Sequence, residues 1–171
     1  FIKKNIHYSK YIFWISVLFI WVISTITDRI WWNLYSNTPS WDQADYLNSA
    51  LDHARALSFL GREGVSDISS LLDKSPKIPP LASIINGAVI AFAGDAPHKA
   101  AWSLSFWNGF LIFNIASWGL YLRGKKFALF CVLISAFSPF LFHLRTEYVL
   151  ELPLISAITS YLFHLGRWSD K

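Results

Sequence analysis

The stretch Ser40-Trp41-Asp42-Gln43-Ala44-Asp45-Tyr46 puts two carboxylates three residues apart at the head of a segment patterned as a helix. A carboxylate in a first helical turn is favoured as the anion by the free amides and dipole of the helix N-terminus, so it is available as a general base or a metal ligand. Ordinary first-turn acids that face water have the same pattern, and both readings stay open.

A second set is Arg145, Glu147 and Glu151. Glu147 and Glu151 are four apart at the head of an apolar run, one above the other on a helix. Arg145 carries the planar fork of donors that suits a phosphate. Charges inside apolar spans cost ~2.5–3.5 kcal/mol at mid-helix on insertion scales, so they line a cavity or pair with each other. An Arg–Glu pair anchoring two helices is the structural alternative for Arg145 and Glu147. Glu151 lies deeper, just ahead of Pro153, where a functional reading gains weight.

A third set is Lys74 and Lys77 ahead of Pro79-Pro80-Leu81. Lysines at lipid-headgroup depth attract an anionic phospholipid or a substrate phosphate, or anchor the chain generically. His7, His53, His98, His143 and His164 show no His-x-x-His or Glu-x-x-His spacing. No metal set is indicated, and a divalent metal stays open as a cofactor. No phosphate-cradling glycine loop, Ser-His-Asp order or basic nucleic-acid patch is visible, so the sequence gives no reason to expect a nucleic-acid partner.

The elements that must position these residues are membrane helices. Of 171 residues, 54% are hydrophobic and only 15% charged, against about 45–50% and 25% in soluble domains. The apolar residues gather into runs, which predicts an all-α membrane protein. A lone cysteine, Cys131, excludes an internal disulfide and reads as core filler. The chain begins at Phe1 and contains no Met, so it is expected to be a piece of a larger polypeptide, one membrane domain over 1–171.

Expected spans cover about 11–27, 101–122, 127–144 and 148–165, with Trp31, Trp32 and Tyr35 as an interfacial anchor. The outer loop 28–100 holds juxtamembrane helices over about 41–60 and 79–94. Ser40 and Gln43 have capping-box spacing. From that start Leu47, Ala50, Leu51, Ala54 and Leu57 fall on one face; Asp42, Asp45, Ser49, Asp52 and His53 fall on the other. The run 79–94 is short for a crossing and carries Asn86 and two glycines. If it does not cross, the cytoplasmic side holds eight basic residues and one acid, and the opposite side seven and ten. The positive-inside rule therefore favours four spans, a cytoplasmic N-terminus and an outer face shared by Asp42, Asp45, Lys77, Arg145 and Glu151.

In this order the elements resemble the N-terminal third of integral-membrane glycosyltransferases that use polyprenyl-phosphate sugars, such as protein O-mannosyltransferases and lipid A aminoarabinose transferases. The resemblance runs over about residues 10–168: one span, a loop with an Asp-x-x-x-Tyr helix start (Asp42 to Tyr46), a Pro-Pro-Leu helix, two spans and an Arg-(x)5-Glu-x-Pro-Leu segment. It implies a C-type glycosyltransferase-like fold. Asp42 matches the family's catalytic aspartate, with Gln43 where the family has glutamate, and Asp45 is a candidate substitute. Lys77 matches the lysine expected at the donor phosphate, displaced by one position, and Arg145 matches the arginine expected there.

The resemblance implies Asp42 as catalytic, with Asp45 as a second candidate, and Arg145, Lys77 and Glu151 as substrate-binding residues; Glu147 and Tyr46 are further substrate-binding candidates. The implied partners are a polyprenyl-phosphate-linked sugar, membrane lipid and a hydroxyl acceptor, at the extracytoplasmic face of the inner or plasma membrane. Two other classes remain: a transporter or flippase fragment, which predicts acids at the bilayer midplane and an inverted repeat, and a non-catalytic assembly module, which predicts that the acids of 42–53 lie apart from Arg145.

Overall fold

The computed structural model describes residues 2–35, 40–58 and 80–169, with residues 2–10 and 58 as backbone alone. All regular structure among these residues is helix, without a strand. Helix α1 (Ile2–Leu34) runs past the apolar segment at both ends. Its stretch Tyr11–Leu34 is the one single helix among the described residues long and apolar enough to cross a membrane. Helix α2 (Trp41–Ser58) follows the sequence expectation closely, as does α3 (Pro80–Ala93), which opens on a proline whose missing N–H is no loss in a first turn. The single turn α4 (Pro97–Ala100) leads into α5 (Trp102–Arg123), then α6 (Lys125–Ala136), α7 (Pro139–Thr146) and α8 (Glu151–Ser169).

The run 127–144, expected as one span, is two helices bent by 55°. Pro139 has no N–H to donate and disfavours helical geometry at the residue before it. Ser138 is accordingly extended (φ −63°, ψ 126°). A second break follows α7, where Glu147 is extended (φ −119°, ψ 141°) and α8 begins only at Glu151.

Small residues set the helix contacts. A Cβ added to Gly87 of α3 would sit 2.7 Å from His53 Cβ, 2.8 Å from Ala54 N and 2.9 Å from Ala50 O. Only glycine admits so close an approach of α2, and Ser49 Oγ donates to Ser83 Oγ (2.9 Å) across the same contact. This corrects the expected faces of α2: Ser49 and His53 are buried with Ala50 and Ala54, not exposed with the acids. His53 lies three residues after Ala50, hence beside it on the helix, and a partner face of Gly87 and Ser83 has room for it. Its Nδ1–H donates to Ser49 O (2.7 Å). The helix start is as expected, with Ser40 O accepting from Ala44 N (2.8 Å), but no side-chain bond of Ser40 or Gln43 closes a capping box among the described residues.

Helices α5 and α6 form a hairpin through Gly124 (φ +83°), with Gly119 against the Ala128 backbone. Phe13, Val17 and Ile20 of α1 pack on the Ala116, Ala128 and Val132 side of that hairpin. A second apolar cluster joins Leu47 and Ala50 of α2 to Leu104 and Trp107 of α5, and to Leu144, Tyr148 and Leu152. The polarity of α5 is reversed from that of a water-soluble helix. Ser103, Ser105, Asn108 and Asn114 are buried, while Phe106, Phe110 and Phe113 are exposed.

Gly87→Val should therefore force α2 and α3 apart, with a loss of about 1–3 kcal/mol or more from overpacking against backbone atoms. A drop in Tm or faster proteolysis within α2 would register it; a native melting curve would contradict the close approach.

Candidate functional site

At the end of its apolar stretch, α1 presents Thr25, Asp28, Arg29 and Trp32 at offsets of three, four and seven, which put them on one face. That face is turned inward. Arg145, from the last turn of α7, donates from Nε to Asp28 Oδ2 at 2.8 Å, and the two side chains are only 2% and 1% exposed. Trp32 Nε1 donates to Arg145 O (3.4 Å), and the guanidinium lies 5.8 Å from the Phe142 ring centre. Next to Asp28, Arg29 donates from Nη1 to His98 O and from Nη2 to Ala101 O, both at 2.9 Å, and covers the Trp102 ring. Helix α1 is thus tied at one level to α7 and to the α4–α5 corner.

Five buried polar atoms have no hydrogen-bond partner among the described residues: Thr25 Oγ1, Asp28 Oδ1, Arg29 Nε, Ser105 Oγ and Arg145 Nη1. Three lie on the inward face of α1, Ser105 is on α5, and Arg145 is the ion-pair partner of Asp28. Ser105 is joined to α1 through its carbonyl, which accepts from Trp21 Nε1 (3.0 Å). A buried unsatisfied polar atom costs ~1–3 kcal/mol, more if charged, and such atoms mark bound water or ligand sites. An orphaned guanidinium N–H suits an anionic oxygen.

Further polar contacts lock the interior beside this site. Trp107 Nε1 donates to Asn86 Oδ1 (2.7 Å), which accounts for the asparagine in the otherwise apolar α3. Tyr148 OH and Ser103 Oγ are 3.2 Å apart, and Ser156 Oγ donates to Trp107 O (3.1 Å).

The residues singled out from the sequence distribute as follows. Asp42 and Asp45 are exposed on the first turns of α2, without an ion pair or hydrogen bond to another described residue. Tyr46 is half-buried and packs, with Leu47, in the apolar cluster that holds Trp32, Leu144 and Tyr148, the neighbours of Arg145. Seven peptide links separate Leu34 from Trp41, so the head of α2 lies within about 25 Å of the end of α1. Glu147 is half-buried and pairs with His143 (3.3 Å), and Glu151 is exposed at the head of α8. Lys77 lies outside the described residues, as does Lys74. The expected Arg–Glu anchor is corrected: Arg145 pairs with Asp28 instead. Asp28 escaped the sequence reading, although an acid one residue past an apolar run of 17 is the signal of a charge that needs a partner. No group of three His, Cys, Asp or Glu side chains converges as a metal set among the described residues.

Comparison with protein-family models, with curated proteins and with solved structures returned no match.

Removing one partner of a buried ion pair costs ~3–5 kcal/mol, whereas replacing both with apolar groups can be nearly neutral. Asp28→Leu and Arg145→Met should each lower stability strongly, and the double variant should recover at least about 2 kcal/mol of the summed loss. A thermal or denaturant double-mutant cycle checks this, and additive losses would contradict the pair.

Proposed function

We propose that this chain forms the membrane part of a glycosyltransferase that moves a sugar from a polyprenyl-phosphate donor to a hydroxyl acceptor (lipid, glycan or protein) at the extracytoplasmic face. One observation carries the reading: the buried Arg145 guanidinium has an unsatisfied N–H, and Trp32 and Leu144 beside it belong to the same apolar cluster as Tyr46 and Leu47 of α2. In support, the order of elements resembles that of the polyprenyl-phosphate glycosyltransferases.

In this mechanism Asp42 accepts the proton of the acceptor hydroxyl as its oxygen attacks the anomeric carbon. The bond from that carbon to the phosphate oxygen breaks on the opposite face, and its electron pair leaves with the lipid phosphate, so the configuration inverts. Arg145 stabilises the growing phosphate charge by a charge-assisted hydrogen bond, with Lys77 as a second cation. Asp45 is a secondary base; Tyr46, Glu147 and Glu151 hold sugar or acceptor hydroxyls.

The proposed topology has four spans: α1, α5, the broken α6–α7 pair and α8, with α2 and α3 at the outer interface and the N-terminus in the cytoplasm. The outward aromatic face and buried polar face of α5 support it, since apolar faces seek lipid and polar side chains pair between helices. So does the basic loop Arg123-Gly124-Lys125-Lys126. A transporter reading draws on the same buried charges, Asp28 and Arg145. It requires passage of a solute without glycosidic bond formation.

With a labelled polyprenyl-phosphate sugar and the purified full-length protein, Asp42→Asn should lower kcat by about 100-fold or more and Asp45→Asn by less than about tenfold. Undiminished transfer by Asp42→Asn would remove Asp42 from the mechanism. For topology, single cysteines in a Cys131→Ala background report sidedness. A membrane-impermeant thiol reagent should label Asp52→Cys from outside and Lys126→Cys only after the membrane is opened.

A further inference from the structure

We infer that Asp28 is a positioning residue whose carboxylate holds the Arg145 guanidinium so that its Nη1–H is aimed at the phosphate of the lipid-linked donor. The inference rests on the glycosyl-transfer reading above and assigns a role to a residue outside the motifs that suggested it.

Arg145 stands at the end of an eight-residue helix and is followed by non-helical backbone at 147–150. A long side chain so placed has no rigid support of its own, so its direction must come from what it touches. Asp28 supplies that contact from the long α1, through Nε and Oδ2 at 2.8 Å. The bond takes the Nε hydrogen and leaves Nη1 buried without a partner. An arginine held by Nε and presenting a terminal nitrogen is oriented in advance for an anionic oxygen, and such support of a binding group is what keeps its geometry productive.

The neighbouring cation, Arg29, keeps only its Nε without a partner. Arg29 directs both terminal nitrogens to backbone carbonyls, at His98 and Ala101. Asp28, Arg29 and Arg145 together carry one net positive charge, the complement of a singly charged phosphodiester. A purely structural role, fastening α1 to α7, uses the same bond and predicts no effect on the donor.

Initial rates against donor concentration separate these roles in the full-length protein. Asp28→Leu should raise the donor KM by about tenfold or more and lower kcat as well, because the misaimed guanidinium loses both the donor phosphate and the charge that grows on it. Asp28→Asn keeps an oxygen for Nε and should hold the donor KM within about threefold of native, even where its Tm falls. A donor KM that stays native in folded Asp28→Leu, with only Tm reduced, overturns the inference in favour of a structural pair. If Asp28→Leu does not accumulate, Asp28→Glu, which moves the carboxylate by one methylene, should raise the donor KM by about fivefold, and a native KM overturns the inference equally. Full-length wild-type protein that neither binds nor turns over a polyprenyl-phosphate sugar overturns the glycosyl-transfer reading itself. Active wild type with native KM in the Asp28 variants overturns only the positioning role.

Discussion

The buried ion pair between Asp28 and Arg145 is the constraint around which the described helices arrange themselves. Each charge taken from water costs several kcal/mol, and the pair persists only where geometry and further hydrogen bonds compensate. Trp32 and Phe142 flank the pair at α7, and Arg29, next to Asp28, reaches a second element. Trp32 ties α1 to the backbone at the end of α7, and Arg29 ties it to the α4–α5 corner. With α1 held there, its earlier turns lie along the α5–α6 hairpin. The pair is incompletely satisfied, with a free donor on one partner and a free acceptor on the other.

The same logic extends through the interior. Buried contacts run through serine, asparagine, tryptophan and histidine, and backbones approach closely at Gly87 and Gly119. Large apolar side chains such as Phe106, Phe110 and Ile134 point outward. In lipid, burying apolar surface between helices yields little, so close packing and interhelical hydrogen bonds carry the association. A bundle built on those terms keeps charged and polar groups inside, which the proposed chemistry requires. That is the connection between the fold and the proposed chemistry.

Helix α2 and helix α7 mark how far the sequence was readable. The boundaries of α2 and α3 followed from apolar periodicity and from Pro80, because local pattern and local geometry decide where a helix starts and stops. The acids Asp42 and Asp45 proved exposed, as the alternation of α2 required. Ser49 and His53 went the other way, because the width of a buried face depends on the partner, and only the glycine and serine of α3 make room for a histidine. The bend at Pro139 was present as a residue but hidden inside a continuous apolar run. Hydropathy records composition and not the lost N–H.

The candidate site divides along the same line. Arg145 was identifiable from its type and its position against an apolar run, since an isolated charge there needs a reason. Its partner was not, because Asp28 is 117 positions away along the chain and pairing over that distance depends on how α1 crosses α7. Composition, periodicity and the two prolines determined an all-helical chain, the approximate extent of its helices and the residue types able to handle a phosphate and a hydroxyl. Tertiary structure alone decided which charge neutralises which, which side of α2 is buried, and that donors of Arg29 and Arg145 remain open. Those are properties of the space between helices, and no single segment of sequence encodes that space.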